Sequence, residues 1–146
     1  MDMQQATYID LKAEKALFTK DLKGLALAIY EDERPLKGLA GIIDFRFQRI
    51  FSYFLKSQAM TGKKGECIYV PTQKTNKTYH FILVGCGKKM GSVTNKQVMP
   101  ETLESLRKNL VALGLSGIGI SRADFGDLSL NEITNFLKGV PVWILQ

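Results

Sequence analysis

One histidine and two cysteines are the residues of this chain best suited to nucleophilic or metal chemistry, and their number already limits what they can do. A thiol attacks as its thiolate, so Cys67 or Cys86 would need His80 close enough to take its proton. His80 lies in Tyr79-His-Phe-Ile-Leu-Val84, and no third residue announces itself to orient the imidazole. Three such residues are also too few for a zinc site of common spacing. The reading is a surface or satisfied core histidine with two inert thiols, and neither a metal nor a cofactor. The carboxylates give a similar answer. Asp124 and Asp127 flank Phe125-Gly126 after a strand, where short acids serve turn and helix-entry geometry. Glu31, Asp32 and Glu33 are consecutive, so their side chains splay instead of converging on one ion. No catalytic residue is assigned, and the expectation is a chain that is not an enzyme.

The lysines carry more information. Among 146 residues there are 20 basic and 14 acidic side chains, a formal charge of +6. Residues 1–60 hold nine bases and eight acids, and residues 101–146 hold four and five. Between Thr61 and Pro100 stand Lys63, Lys64, Lys74, Lys77, Lys88, Lys89 and Lys96 against Glu66 alone, so the whole excess is local. All seven are lysines, point charges without the forked donors with which arginine grips phosphates and base edges. A solvated face is the favoured reading; an anion or nucleic-acid surface is the alternative. Within it, Gly85-Cys-Gly-Lys-Lys-Met-Gly91 follows a strand, and Gly85, Gly87, Lys88 and Lys89 together with Lys63 and Lys64 form the candidate anion-binding set. A second loop, Ser121-Arg-Ala-Asp-Phe-Gly126, also follows a strand. A P-loop is excluded, because Lys89 stands where Ser or Thr must follow the lysine and no helix starts before Pro100.

The elements that would position these groups read as alternating strands and helices. Thr7 to Leu11 is a short strand, and the unbroken apolar Gly24-Leu-Ala-Leu-Ala-Ile-Tyr30 fits a strand buried on both faces. From Leu39 to Lys56, Ile43, Phe47, Ile50 and Phe54 recur at helical spacing with Arg46, Arg49, Ser52 and Lys56 opposite, predicting one amphipathic helix flanked by Phe45 and Phe51. Glu66 to Pro71 is a strand closed by proline; Gln73 to Thr78 is a polar tip, predicting a hairpin with a loop longer than two residues before Tyr79 to Val84. A helix begins at Pro100 with Leu103, Leu106, Leu110 and Leu113 on one face and stops at Gly114. Leu115 to Ser121 is a glycine-broken strand, Ser129-Leu-Asn-Glu132 a capping box opening a helix to Lys138, and Val140 to Leu145 a last strand holding Trp143 as core or edge packing. The sum is one α/β domain over 1–146, a three-layer α/β/α sandwich on a mixed sheet of about six strands. No apolar run nears the roughly 20 residues of a membrane span and no signal-peptide core stands at the start, so a soluble cytoplasmic protein is expected, with no membrane partner.

The strand Leu25 to Tyr30, the helix through Asp44 to Leu55, Met60-Thr-Gly-Lys-Lys-Gly-Glu66 and Phe81-Ile-Leu-Val-Gly-Cys-Gly-Lys88, in that order, resemble the N-terminal domain of cytosolic leucyl aminopeptidases. The resemblance covers roughly Thr7 to Lys138 and implies a macro-domain-like fold. In that family a separate domain carries the metal ions and catalytic residues, so the resemblance implies a binding or assembly role, with a protein partner or self-association, and nucleic-acid contact in some relatives. The wider macro fold implies ADP-ribose as an alternative ligand. This chain departs from the ligand-binding pattern, having Glu31-Asp-Glu-Arg-Pro35 where an asparagine-rich turn is expected, and three acids there repel a diphosphate.

Overall fold

The computed structural model describes residues 7–9, 15, 17, 22–88, 99–115, 117–125, 130–137, 140 and 142–145. Its centre is β2 (Gly24–Tyr30), every residue of which is buried. Around it a six-stranded sheet is ordered β1-β6-β5-β2-β4-β3, the others being β1 (Thr7–Ile9), β3 (Cys67–Lys74), β4 (Lys77–Gly87), β5 (Ile118–Ser121) and β6 (Val142–Leu145). β2 runs parallel to both β4 and β5, and β6 is parallel to β5 and β1; only β3 is antiparallel, to β4. The sheet is therefore mixed, and the α/β class read from the sequence holds.

Period-two alternation along β2 separates two cores. Leu25, Leu27 and Ile29 face α1 (Gly38–Arg46) and α2 (Ile50–Lys56), packing with Leu39, Ile43, Phe47 and Phe51. Ala26, Ala28 and Tyr30 face the other layer, where α3 (Met99–Leu113) contributes Leu103, Leu106 and Leu110 and α4 (Leu130–Phe136) contributes Ile133. Helices on both faces of one sheet give the three layers. The first layer is knit by aromatic edges: Phe81 meets Phe47 at 4.9 Å and Phe51 at 5.2 Å between ring centroids.

Several elements differ from the sequence reading for identifiable reasons. The single helix expected over Leu39 to Lys56 is two, because Gln48 and Arg49 both adopt left-handed backbone at φ +59°. Buried Asp44 accepts from the Phe51 amide at 2.8 Å and the Ser52 amide at 3.1 Å, and also from the Ser52 hydroxyl, so a carboxylate within the first helix supplies the partners that the start of the second lacks. Phe45, read as flanking the apolar stripe, is 71% exposed, whereas Phe51 is fully buried. The hairpin is tight after all. Thr75 and Asn76 take φ +53° and +61°, the mirror-image turn that matches strand twist, and Gln73 pairs with Thr78 and Lys74 with Lys77. β3 continues through Pro71 because it is an edge strand. β4 runs on to Gly87, so Gly85 and Gly87 are strand residues and not loop residues. Leu113 is 40% exposed and Trp143 38%, neither a full core residue. Ser129, Lys138 and Asp127 lie outside the described residues.

Candidate functional site

The chain leaves β2 toward β4 on one side, whereas it leaves β5 toward β6 on the other, so the boundary of β2 and β5 is where the winding reverses. Open α/β sheets hold ligands outside the carboxyl ends of strands at such a point. Here the crevice is bridged by the protein itself. The Tyr30 hydroxyl donates to the Asp124 carbonyl at 2.6 Å, and a Cβ on Gly38 (φ +60°) would come within 2.8 Å of the Asp124 carboxylate. Burial first, then the neighbouring Cys86 thiol and the Asp124 and Glu33 carboxylates, push the Tyr30 phenol well above its ordinary range, so it stays a neutral donor. Arg34 reaches back to the Tyr30 carbonyl at 2.7 Å and across to the Thr61 carbonyl at 2.9 Å. Glu33 and Asp124 both act on the Tyr30 phenol, and Glu31 and Asp32 follow it directly in the chain.

The candidate anion set is brought together in part. The loop Thr61 to Glu66 lies against the end of β4: the Gly85 amide donates to the Glu66 carbonyl and the Gly87 amide to the Gly62 carbonyl, each at 2.8 Å. Gly85 must be glycine because a Cβ would stand 2.0 Å from the Lys63 carbonyl oxygen. These two amides are thus committed to the fold and do not face outward. The loop's own amides are turned inward on a carboxylate. Glu66 Oε1 accepts from the amides of Thr61 at 3.1 Å, Gly62 at 2.7 Å and Lys63 at 2.8 Å, and from the Thr61 hydroxyl at 3.1 Å. Desolvation raises the Glu66 carboxyl's pKa, but the hydrogen bonds outweigh it and hold the group below its ordinary value. What remains outward is charge: Lys63, Lys64 and Lys88 are exposed, and Lys89 lies outside the described residues.

Cysteine-histidine chemistry is not assembled. His80 Nδ1 is 2.5 Å from the Tyr69 hydroxyl, and the two rings stack at 5.8 Å. Cys67 pairs in register with Val84, and Cys86 stands six residues beyond His80, about 20 Å along an extended strand. Burial pushes the Cys67 thiol up to about 11 and, with Asp124 adding to it, the Cys86 thiol to about 12, leaving almost no thiolate at neutral pH. Among the described residues no three His, Cys, Asp or Glu side chains gather as a metal site.

Sequence reasoning missed a second place. The left-handed break between α1 and α2 sits against the tip of the β3–β4 hairpin and leaves a groove of about 500 Å³ lined by Arg46, Gln48, Arg49, Tyr53, Gln73 and Lys74. The Lys74 ammonium donates to the Arg46 carbonyl at 2.6 Å and lies 4.8 Å over the Phe47 ring, which ties hairpin to hinge. Arg49 lies 5.8 Å over the exposed Phe45 ring. Arg46 and Arg49 read as the wet side of a continuous helix, and the unforeseen break places them with Lys74 along one groove.

A central parallel strand with ligand-crevice geometry, covered by helices on both faces, defines a macrodomain-like α/β/α fold. Comparison with solved structures agrees. The macrodomain of Mycobacterium tuberculosis DarG superposes with a TM-score of 0.67 at 16% identity over 94% of this chain and 97% of that one. Thermosipho africanus DarTG in complex with ADP-ribose gives 0.66 at 14% over 88% of this chain and 39% of that one. A tomato leucine aminopeptidase gives 0.66 at 12% over 99% of this chain, which spans 33% of that enzyme. No curated protein sequence matches. The family model of the cytosol aminopeptidase N-terminal domain matches residues 24–131, and the chain belongs to that family.

Proposed function

We propose that this chain is a non-catalytic binding or assembly module that docks a partner protein, or a second copy of itself, through the outer face of α1. The observation that carries the reading is the apolar pair Ile42 and Phe45, 45% and 71% exposed on a helix whose opposite side is core. They border a shallow depression of about 800 Å³ that also includes Leu36 and Gly41. The family match supports it, since it falls on the N-terminal domain of the aminopeptidases. Among the described residues no helix is long and apolar enough to cross a membrane. Light scattering across a concentration series, alone and with captured partners, tests it: Ile42→Ser with Phe45→Ser should abolish association and leave the melting temperature within a degree or two. Equal association by the double variant overturns the docking face. Turnover of a leucine anilide with added manganese or zinc, abolished by chelator, would overturn the non-catalytic reading.

A nucleotide reading is the alternative, supported by the ADP-ribose complex of a fold neighbour and by exposed Lys63, Lys64 and Lys88, and opposed by the acids gathered after β2. Calorimetric binding of ADP-ribose that is lost in Lys63→Gln with Lys64→Gln would select it.

A further inference from the structure

We propose that the groove between the α1–α2 hinge and the β3–β4 hairpin binds single-stranded nucleic acid, with phosphates on Arg46, Arg49 and Lys74 and a base stacked on Tyr53. This goes beyond the partner-protein reading and stands independently of it.

Charge complementarity is the first argument. From Leu36 to Lys88 the chain carries nine bases, namely Lys37, Arg46, Arg49, Lys56, Lys63, Lys64, Lys74, Lys77 and Lys88, against two acids, Asp44 and Glu66. Both carboxylates are engaged by backbone amides, Asp44 by those at the start of α2 and Glu66 by those of its own loop. Among the described residues no carboxylate lines the groove. The second argument is donor type: two of the groove's cationic lining residues, Arg46 and Arg49, are arginines, whose forked donors match a phosphate better than a lysine point charge does. Third, Tyr53 is 68% exposed, a flat π-face beside those cations, the combination on which single strands stack without sequence preference. Gln48 and Gln73 add amide donors and acceptors within reach of base edges.

The backbone supplies a control. Gln48 and Arg49 hold left-handed φ values that glycine would adopt without strain, and glycine at Arg49 would remove the guanidinium from the groove. Arg49→Gly therefore separates what the side chain does from what the backbone does.

Fluorescence anisotropy with labelled oligo(dT) of about 12 nucleotides tests the proposal, that length lying within the ~4–16 nucleotides that single-strand grooves occupy. Expected are binding at low salt and a slope of log affinity against log salt near −2, three contacts at about −0.7 each. Arg46→Gln with Arg49→Gln should weaken binding at least tenfold, and Tyr53→Ala about fivefold or more by loss of stacking. Lys63→Gln with Lys64→Gln should change it less than twofold, and Arg49→Gly should bind more weakly while melting higher. Absent binding at low salt, a loss that follows Lys63 and Lys64 instead of the arginines, or duplex binding indifferent to Tyr53→Ala would each overturn it.

Discussion

At the carboxyl ends of β2, β4 and β5 the polar groups are committed to one another, whereas at the α1–α2 hinge cationic side chains line an open groove. Both places join loops to the same sheet, and both contain a carboxylate bound by backbone amides. Glu66 closes the first, taking three amides of the Thr61 to Lys63 loop. Asp44 opens the second, since by capping α2 it holds the break beside which Arg46, Arg49 and Lys74 line the groove. An internal carboxylate can therefore remove a binding surface or create one, according to whether the amides it occupies are those a ligand would have used.

The largest effect should come from the closed region. Gly85→Ala would drive a methyl to within 2.0 Å of the Lys63 carbonyl and 3.1 Å of Glu66 Cβ, so it should destabilise the fold by about 3 kcal/mol or more in denaturant melts. A neutral substitution would break the comparison, because the loop would then be a loose lid and not part of the sheet's end. At the hinge, Asp44→Ala leaves the start of α2 uncapped beside a buried core and should cost about 2 kcal/mol, with Asp44→Asn recovering part of it. The same variant should weaken oligo(dT) binding although Asp44 touches no ligand, which ties the cap to the groove.

Glu66 should give the smallest change and the most diagnostic one. Its carboxyl titrates lower in the folded chain than in the unfolded chain, so its contribution is complete above about pH 5 and is lost as pH falls through the folded value. Glu66→Gln keeps an acceptor oxygen and loses the charge; at a site that water partly screens, about 1 kcal/mol at neutral pH is expected. Stability measured from about pH 5 down to pH 3 should fall less steeply in the variant than in the parent. Parallel curves would mean that the amides are indifferent to the charge they surround.

How far the sequence could be read follows from the same physics. β2 was legible because burial on both faces requires every residue to be apolar, and the α3 stripe of Leu103, Leu106 and Leu110 because one face alone is buried. The helix break was not legible, because no glycine or proline stands between Phe47 and Ile50; the cause is a side chain, Asp44, reaching seven and eight residues ahead. Gln73 to Thr78 looked like a loop because the hairpin tip is wet on both sides, so no alternation marks the strands there. The local lysine excess was visible as a count. Its conversion into a groove depended on Arg46 and Arg49, which contribute nothing to a segmental tally in which acids balance them.

Pro71 has a consequence for how copies of this chain can meet. The His80 amide donates to the Lys23 carbonyl on the β2 side, so its partner Pro71 directs its own backbone outward, along the open margin of β3. That margin lacks a donor at mid-length and ends at Lys74, features that discourage another strand from zipping on. An endless ribbon needs both margins of the sheet, β1 and β3, so resistance along β3 alone is enough to discourage one.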